Sequence, residues 1–182
     1  MKEKMLLHVC CAPCSSSVLE RLVKDFDVTI HYYNPNIYPE SEYTMRDDEL
    51  HRFIKEAYDN NIEIITEEYD HNEYLDVISG LENEKEGGSR CEKCFRLRLR
   101  KTAELAKEKG FDIFTTTLSV SPYKNFRLLN EIGKELEAEL GIKYYEANFK
   151  KQDGYLRSIR LSQQYGLYRQ DYCGCEFSRR DK

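Results

Sequence analysis

Short apolar runs of strand length alternate with stretches of helical spacing from one end of this chain to the other, and that alternation constrains its fold most. Met5-Leu6-Leu7-His8-Val9 suits a buried strand, and "SSSVLERLVKDF" follows with Val18, Leu19, Leu22, Val23 and Phe26 at helical spacing. "DVTIHYYN" is the second predicted strand, stopped by the turn-forming "NPN" at 34–36. A polar helix over about residues 40–60 carries Leu50, Phe53, Ile54 and Ala57 as its apolar stripe. "IEIIT" reads as the third strand, and residues 70–81 as a further short helix. The charged, glycine-containing loop "EKEGGSR" at 84–90 is the best candidate for a mobile segment. Beyond it, Phe95, Leu99, Ala103 and Ala106 line one face of a helix that Gly110 ends. "FDIFTTTL" is the fourth strand, "SPYKN" breaks the chain, and Asn125 caps a helix carrying Leu128, Leu129, Ile132, Leu136 and Leu140, closed by Gly141. "KYYEANF" is the fifth strand, and the remainder mixes helix with a cysteine-containing turn.

This pattern predicts an α/β fold with a mainly parallel sheet of about five strands, whose ligands bind in the crevice beyond the strand carboxyl ends. "CCAPC", "YNPNIYP" and "TLSVSPYKN" each follow a predicted strand and so should gather at that edge. A chain of 182 residues suits one domain over 1–182, large enough to bury a core without disulfides. No apolar run approaches the ~20 residues of a membrane span. The apolar stretch behind Met1 is too short for a signal-peptide core, which predicts a cytoplasmic protein. A net charge of -5 argues against a general nucleic-acid binder. Local runs such as "RLRLRK" (Arg96, Arg98, Arg100, Lys101) and the tail "SRRDK" could still form one basic face, although such a run reads first as a solvated helix surface.

The chain holds seven cysteines, and in a reducing compartment metal binding or redox chemistry outranks a disulfide framework. Three lie in "HVCCAPC", where Pro13 ends the strand and suits the first turn of a helix. The positive end of that helix favours thiolate, the form that binds metal. Cys91 and Cys94 of "CEKC" also open a predicted helix, and Cys173 and Cys175 flank a glycine that lets the backbone fold tightly around a ligand. Seven thiols suggest two sites, four serving an iron–sulfur cluster and three a second metal or catalysis, with the partition left open by spacing alone. A zinc site from Cys11/Cys14 with Cys91/Cys94, or a dithiol redox site at "CAPC", fits part of the pattern but not all seven cysteines. Ferredoxin spacing is absent. His8 reads as a hydrogen-bonded core residue, and Tyr32, Tyr33, Tyr123 and Tyr172 flank the expected crevice.

Taken together in this order, "LLHVCCAPCS", "YNPNIYP", "RCEKCFRLRL", "FTTTLSVSPYKN" and "GLYRQDYCGCEFS" resemble the QueH family of epoxyqueuosine reductases over nearly the whole chain. The resemblance implies a Rossmann-like (HUP-like) three-layer fold, like that of tRNA thiolases and adenylating enzymes. The glycine-rich phosphate loop of ATP-using relatives is replaced here by "CCAPCSSS", which puts ATP use in doubt. The implied reaction is the last step of queuosine biosynthesis, without cobalamin: loss of the epoxide oxygen from epoxyqueuosine at the wobble position of tRNA with a GUN anticodon. Implied cofactors are a [4Fe-4S] cluster on Cys10, Cys11, Cys91 and Cys94, and a second metal ion, iron by the same resemblance, with Cys14, Cys173 and Cys175 as its ligands.

Epoxide-to-alkene conversion takes two electrons and two protons and releases water, so an external low-potential electron donor is required. Asp171, Tyr172 and Tyr123 are the acid–base candidates by position. Lys124, Arg90, Arg96, Arg157, Arg160 and Arg169 are the candidate contacts to the tRNA, whose modified base must be extruded into the crevice. Two other classes compete: a zinc-stabilised RNA-binding module without catalysis, and a tRNA sulfurtransferase using the CxxC pairs as sulfur carriers.

Overall fold

A computed structural model describes residues 1–178. Strands β1 (Glu3–His8), β2 (Phe26–Tyr32), β3 (Ile64–Thr66), β4 (Ile113–Thr116) and β5 (Lys143–Tyr144) alternate with helices. The helices are α1 (Ala12–Leu22), α2 (Glu40–Tyr58), α3 (His71–Ile78), α4 (Ser89–Glu108), α5 (Phe126–Leu140) and α6 (Gly154–Gln164). The strands form one sheet in the order β3-β2-β1-β4-β5, every pair parallel. The predicted α/β class and parallel sheet are therefore observed, as a Rossmann-like arrangement.

Successive residues of a strand face opposite sides of the sheet, and β1 divides its apolar residues accordingly. Met5 and Leu7 pack with Leu19 of α1 and with Leu50, Phe53 and Ile54 of α2. Leu6 faces the other way, with Leu99 and Ala103 of α4 and with Leu129, Ile132 and Leu136 of α5. Two apolar layers thus sandwich the sheet, and α6 lies on α1. Each fully buried leucine or isoleucine contributes roughly 1.5–3 kcal/mol relative to exposure. Among the described residues no helix is long and apolar enough to cross a membrane.

Caps explain the boundaries. Asn125 Oδ1 accepts from the N–H groups of Arg127 and Leu128 and starts α5, which ends at Gly141 with φ 72°. Gly110, just beyond α4, also has positive φ. Three expectations are corrected. Phe26 belongs to β2, not to the first helix, because the chain turns at Asp25, whose N–H donates to Leu22, and Phe26 then pairs with Glu3. The fourth strand stops at Thr116, whose hydroxyl accepts from Leu118 N–H and bends 117–120 into a 3-10 turn. The fifth strand keeps two residues of the expected seven. Of the expected basic tail, residues 179–182 lie outside the described residues.

β1 feeds α1 toward β2 on one side, while β4 lies on its other side, so the connections diverge between β1 and β4. A cleft is expected at that point, beyond the carboxyl ends of the strands.

Candidate metal centre and cleft

The first thiols sit where β1 becomes α1. Cys11 is the N-cap residue, its sulfur accepting from the Cys14 N–H at 3.4 Å, and Pro13 occupies the first turn, where no N–H is needed. The Sγ atoms of Cys10, Cys11 and Cys14 all lie within 4.8 Å of one another, a grouping that can hold a metal ion. Cys91 and Cys94 lie in the opening turns of α4, and Cys91 Sγ accepts from Gly87 N–H at 3.2 Å. Cys91 packs against the same apolar cluster as Cys10, Cys11 and Cys14, while Cys94 packs with Cys173 and Cys175. All seven cysteines are free thiols.

The Cys173–Cys175 turn is seated from three directions. Its Gly174 carbonyl accepts from Tyr38 N–H at 2.9 Å, joining it to the "YNPNIYP" loop after β2. From α3, the Tyr74 hydroxyl lies 2.9 Å from Cys175 Sγ, and His71 bridges Glu176 and the Pro35 carbonyl. From α2, Arg46 donates to the carbonyls of Tyr172 and Cys173 while its Nε holds Glu42 at 2.8 Å. Gly174 has φ 106°, and a Cβ there would come 2.7 Å from Ile37 Cγ1. Gly174→Ala is therefore expected to cost about 1–3 kcal/mol of stability and to displace both flanking thiols. A denaturant midpoint equal to that of the wild type would contradict this seating.

Electrostatics divides the thiols. Hydrogen bonds from Cys11 and Cys14 hold Cys10 well below the ordinary cysteine value, while burial pushes Cys11 up to about 12. Cys14 is raised by its hydrogen bonds to the same two sulfurs. A hydrogen bond from Cys173 lowers Cys175 to about 6, with help from Tyr74, and the same contact raises Cys173. Burial raises Cys94 to about 11, partly offset by Arg98. The Cys10–Cys14 and Cys173–Cys175 groups thus each hold one thiol that deprotonates readily, and a cation is needed to release protons from the raised ones. His8 is fully buried between Thr116 and the Tyr33 carbonyl and lowered to about 3, chiefly by burial, so it is a neutral core residue as expected.

A cleft of about 260 Å³ opens beside these sulfurs, lined by Cys10, Cys14 and Cys173 together with Arg46, Arg98 and Lys124. Tyr123, Arg169, Asp171 and Tyr172 also line it, so these predicted site residues come together. Tyr123 is 80% exposed at the rim. The Tyr172 hydroxyl donates to the Tyr38 carbonyl at 2.7 Å, and its ring lies beneath Arg46. Burial disfavours the Lys124 ammonium, but attraction to Cys173, Cys10 and Cys14 outweighs this and keeps it charged.

The other predicted cations lie elsewhere. Arg90 is buried, donating to the carbonyls of Glu82 and Glu84 and to Ser178, and so ties down the loop at 84–90. Arg96 and Arg100 reach across to Glu135 and Glu139 of α5, Arg157 pairs with Glu20, and Arg160 is exposed on α6. Arg98 turns inward, so "RLRLRK" does not present one free basic face. Sequence reasoning missed Arg46, and it read Arg98 as a surface residue. The signal was their position: Arg46 falls on the stripe of Tyr43, Leu50 and Phe53, and Arg98 on that of Cys94, Phe95 and Leu99.

Fold and cleft define a Rossmann-like α/β protein whose converging thiols, compensated by buried cations, can take a metal. Residues 5–181 match the family model described as "Epoxyqueuosine reductase QueH". A protein of that name from Streptococcus pyogenes serotype M1 is 41% identical over 98% of this chain and 71% of its own length. Those from Staphylococcus epidermidis and Thermotoga maritima are 40% and 38% identical, covering 97% and 98% of this chain and 76% and 93% of their own. The chain belongs to the QueH family of epoxyqueuosine reductases, which makes it an oxidoreductase.

Proposed function

We propose that this protein removes the epoxide oxygen of epoxyqueuosine at the wobble position of tRNA with a GUN anticodon, yielding queuosine in the cytoplasm as one domain. The observation that carries this reading is the metal-competent group of Cys10, Cys11 and Cys14 beside a cleft that Cys173, Lys124, Arg46 and Arg98 also line, in a chain of this family. We assign Cys10, Cys11, Cys91 and Cys94 to a [4Fe-4S] cluster, and Cys14, Cys173 and Cys175 to a second metal ion, iron by the same reading. The donor set fits: soft thiolates suit iron–sulfur and thiophilic metals, and the cations offset their charge. When bound, such a cluster passes electrons singly from an external low-potential donor, and a second metal supplies a Lewis acid.

The chain's own residues bind, orient and move protons. The reaction consumes two electrons and two protons, breaks both C–O bonds of the epoxide and releases water. Asp171, Tyr172 and Tyr123 are the acid–base candidates. The Tyr172 hydroxyl donates to the Tyr38 carbonyl while its ring walls the cleft, and Asp171 and Tyr123, which line the same cleft, are assigned to relay protons from water. Lys124 and Arg169, at the cleft, suit contacts to the extruded nucleotide and its phosphates. Arg157, Arg160 and Arg96 are assigned to more distant phosphates, and Arg90 acts by shaping the loop at 84–90.

The test is anaerobic purification followed by incubation with epoxyqueuosine-containing tRNA and a low-potential reductant. The expected result is a brown protein with about four irons and four sulfides and a nucleoside lighter by one oxygen in mass spectrometry. A colourless zinc protein that leaves the nucleoside unchanged, or one that needs ATP and transfers sulfur, would overturn the assignment.

A further inference from the structure

Arg98 is 2% exposed and lines the cleft. Its Nη2 donates to Asn34 Oδ1 at 2.7 Å, and its Nη1 reaches Cys94 Sγ at 3.8 Å. Its Nε has no hydrogen-bond partner among the described residues. Neither has it a carboxylate within ion-pair distance among them, unlike Arg46, which is held by Glu42. A buried guanidinium with an unmatched N–H and no paired carboxylate is costly, and each such group calls for an explanation. Asn34 fixes its placement: the amide nitrogen donates to the Val9 carbonyl at 2.9 Å, so the oxygen must face Arg98. Val9 immediately precedes Cys10. One amide and one guanidinium therefore latch the Cys10 segment, the loop after β2 and the Cys94 turn of α4 together.

We propose that Arg98 is the counter-charge of the group held by the cysteine thiolates and that it favours that group's electron-rich state. This rests on the iron–sulfur reading above. A cluster in four thiolates is net anionic in both oxidation states and gains one more negative charge on reduction. A buried cation at its edge stabilises the reduced form more than the oxidised one, and net charge and hydrogen bonds to sulfur are what set such potentials. Arg98 is thus a positioning residue, acting through the thiolates, and it makes electron acceptance from the donor easier.

The experiment is an EPR-monitored redox titration of the anaerobically reconstituted protein, comparing wild type with Arg98→Lys, Arg98→Gln and Asn34→Asp. Iron and sulfide are counted first: a wild type that holds no cluster refutes the cofactor reading itself, whereas the inference about Arg98 is judged on loaded protein. In Arg98→Gln the ratio of reduced to oxidised cluster at the wild-type midpoint should fall about tenfold, equivalent to about 59 mV for one electron. Asn34→Asp, which sets a carboxylate against an intact guanidinium, should shift the same way, and Arg98→Lys should stay near wild type. Should Arg98→Gln fold without loading iron, Asn34→Asp decides by its potential. If both lose the cluster while Arg98→Lys keeps it at a near-wild-type midpoint, a positive charge not neutralised by a carboxylate is required at this edge of the anionic group, and the proposal stands. Loaded variants with unchanged midpoints, or loss of iron from all three variants alike, would overturn it.

Discussion

Cys10→Ser is expected to abolish the proposed iron–sulfur loading and to lower epoxyqueuosine reduction by about a thousandfold or more, a loss of about 4 kcal/mol of transition-state stabilisation. Cys10 is 6% exposed, its sulfur lies 3.9 Å from that of Cys11, and hydrogen bonds from Cys11 and Cys14 hold it well below the ordinary cysteine value. A serine hydroxyl is nearly the same size but stays protonated and is a hard, poor ligand for iron. The fold should survive. Exchanging one buried thiol for a hydroxyl costs on the order of 1–3 kcal/mol, which a denaturant titration of the metal-free proteins measures. Full activity and wild-type iron content in Cys10→Ser would remove the vicinal pair from the site.

Arg46→Met is the second large effect, and it falls on stability first. The guanidinium is fully buried, its Nε is 2.8 Å from Glu42, and its other nitrogens satisfy the carbonyls of Tyr172 and Cys173. Methionine fills much of the volume but leaves a largely buried carboxylate and two carbonyls without their donor. The expected cost is about 3–5 kcal/mol, seen as a lower denaturant midpoint. Glu42→Gln together with Arg46→Met should recover part of it, because the stranded charge is gone. Since Arg46 seats the Cys173–Cys175 turn, the single variant should also lose whatever metal those thiols hold. A midpoint within about 0.5 kcal/mol of wild type would show that the pair carries no such weight.

Much of this architecture is legible in the sequence, for physical reasons that also mark where reading stops. Met5-Leu6-Leu7, flanked by a helical stripe, can only be a strand buried on both faces, and the caps at Asn125 and Gly141 announce α5. Phe26 and Thr117 lie in other elements than their residue types suggest, because apolar or β-branched character is shared by strands, helix stripes and turns. What separated them was a backbone turn at Asp25 and one hydroxyl, that of Thr116. At the site, the cysteines declare themselves by type and clustering. Lys124, Asp171 and Arg169 follow from their place after predicted strands or beside the cysteine turn. Arg46 and Asn34 do not, because charged and amide side chains default to the surface and to turns. A cation on a core stripe is the signal that would have found Arg46 and turned Arg98 inward. Which cysteines meet depends on strand order and on latches such as Asn34 to Val9, separated by 25 residues, which no local pattern records.

Iron anomalous diffraction from crystals grown without oxygen would locate the metal. Iron is expected at the end of β1, bounded by the sulfurs of Cys10, Cys11, Cys91 and Cys94. Iron bound elsewhere, or well-ordered thiols from α1 and α4 facing each other with no iron between them in a protein that still reduces its tRNA, would contradict it.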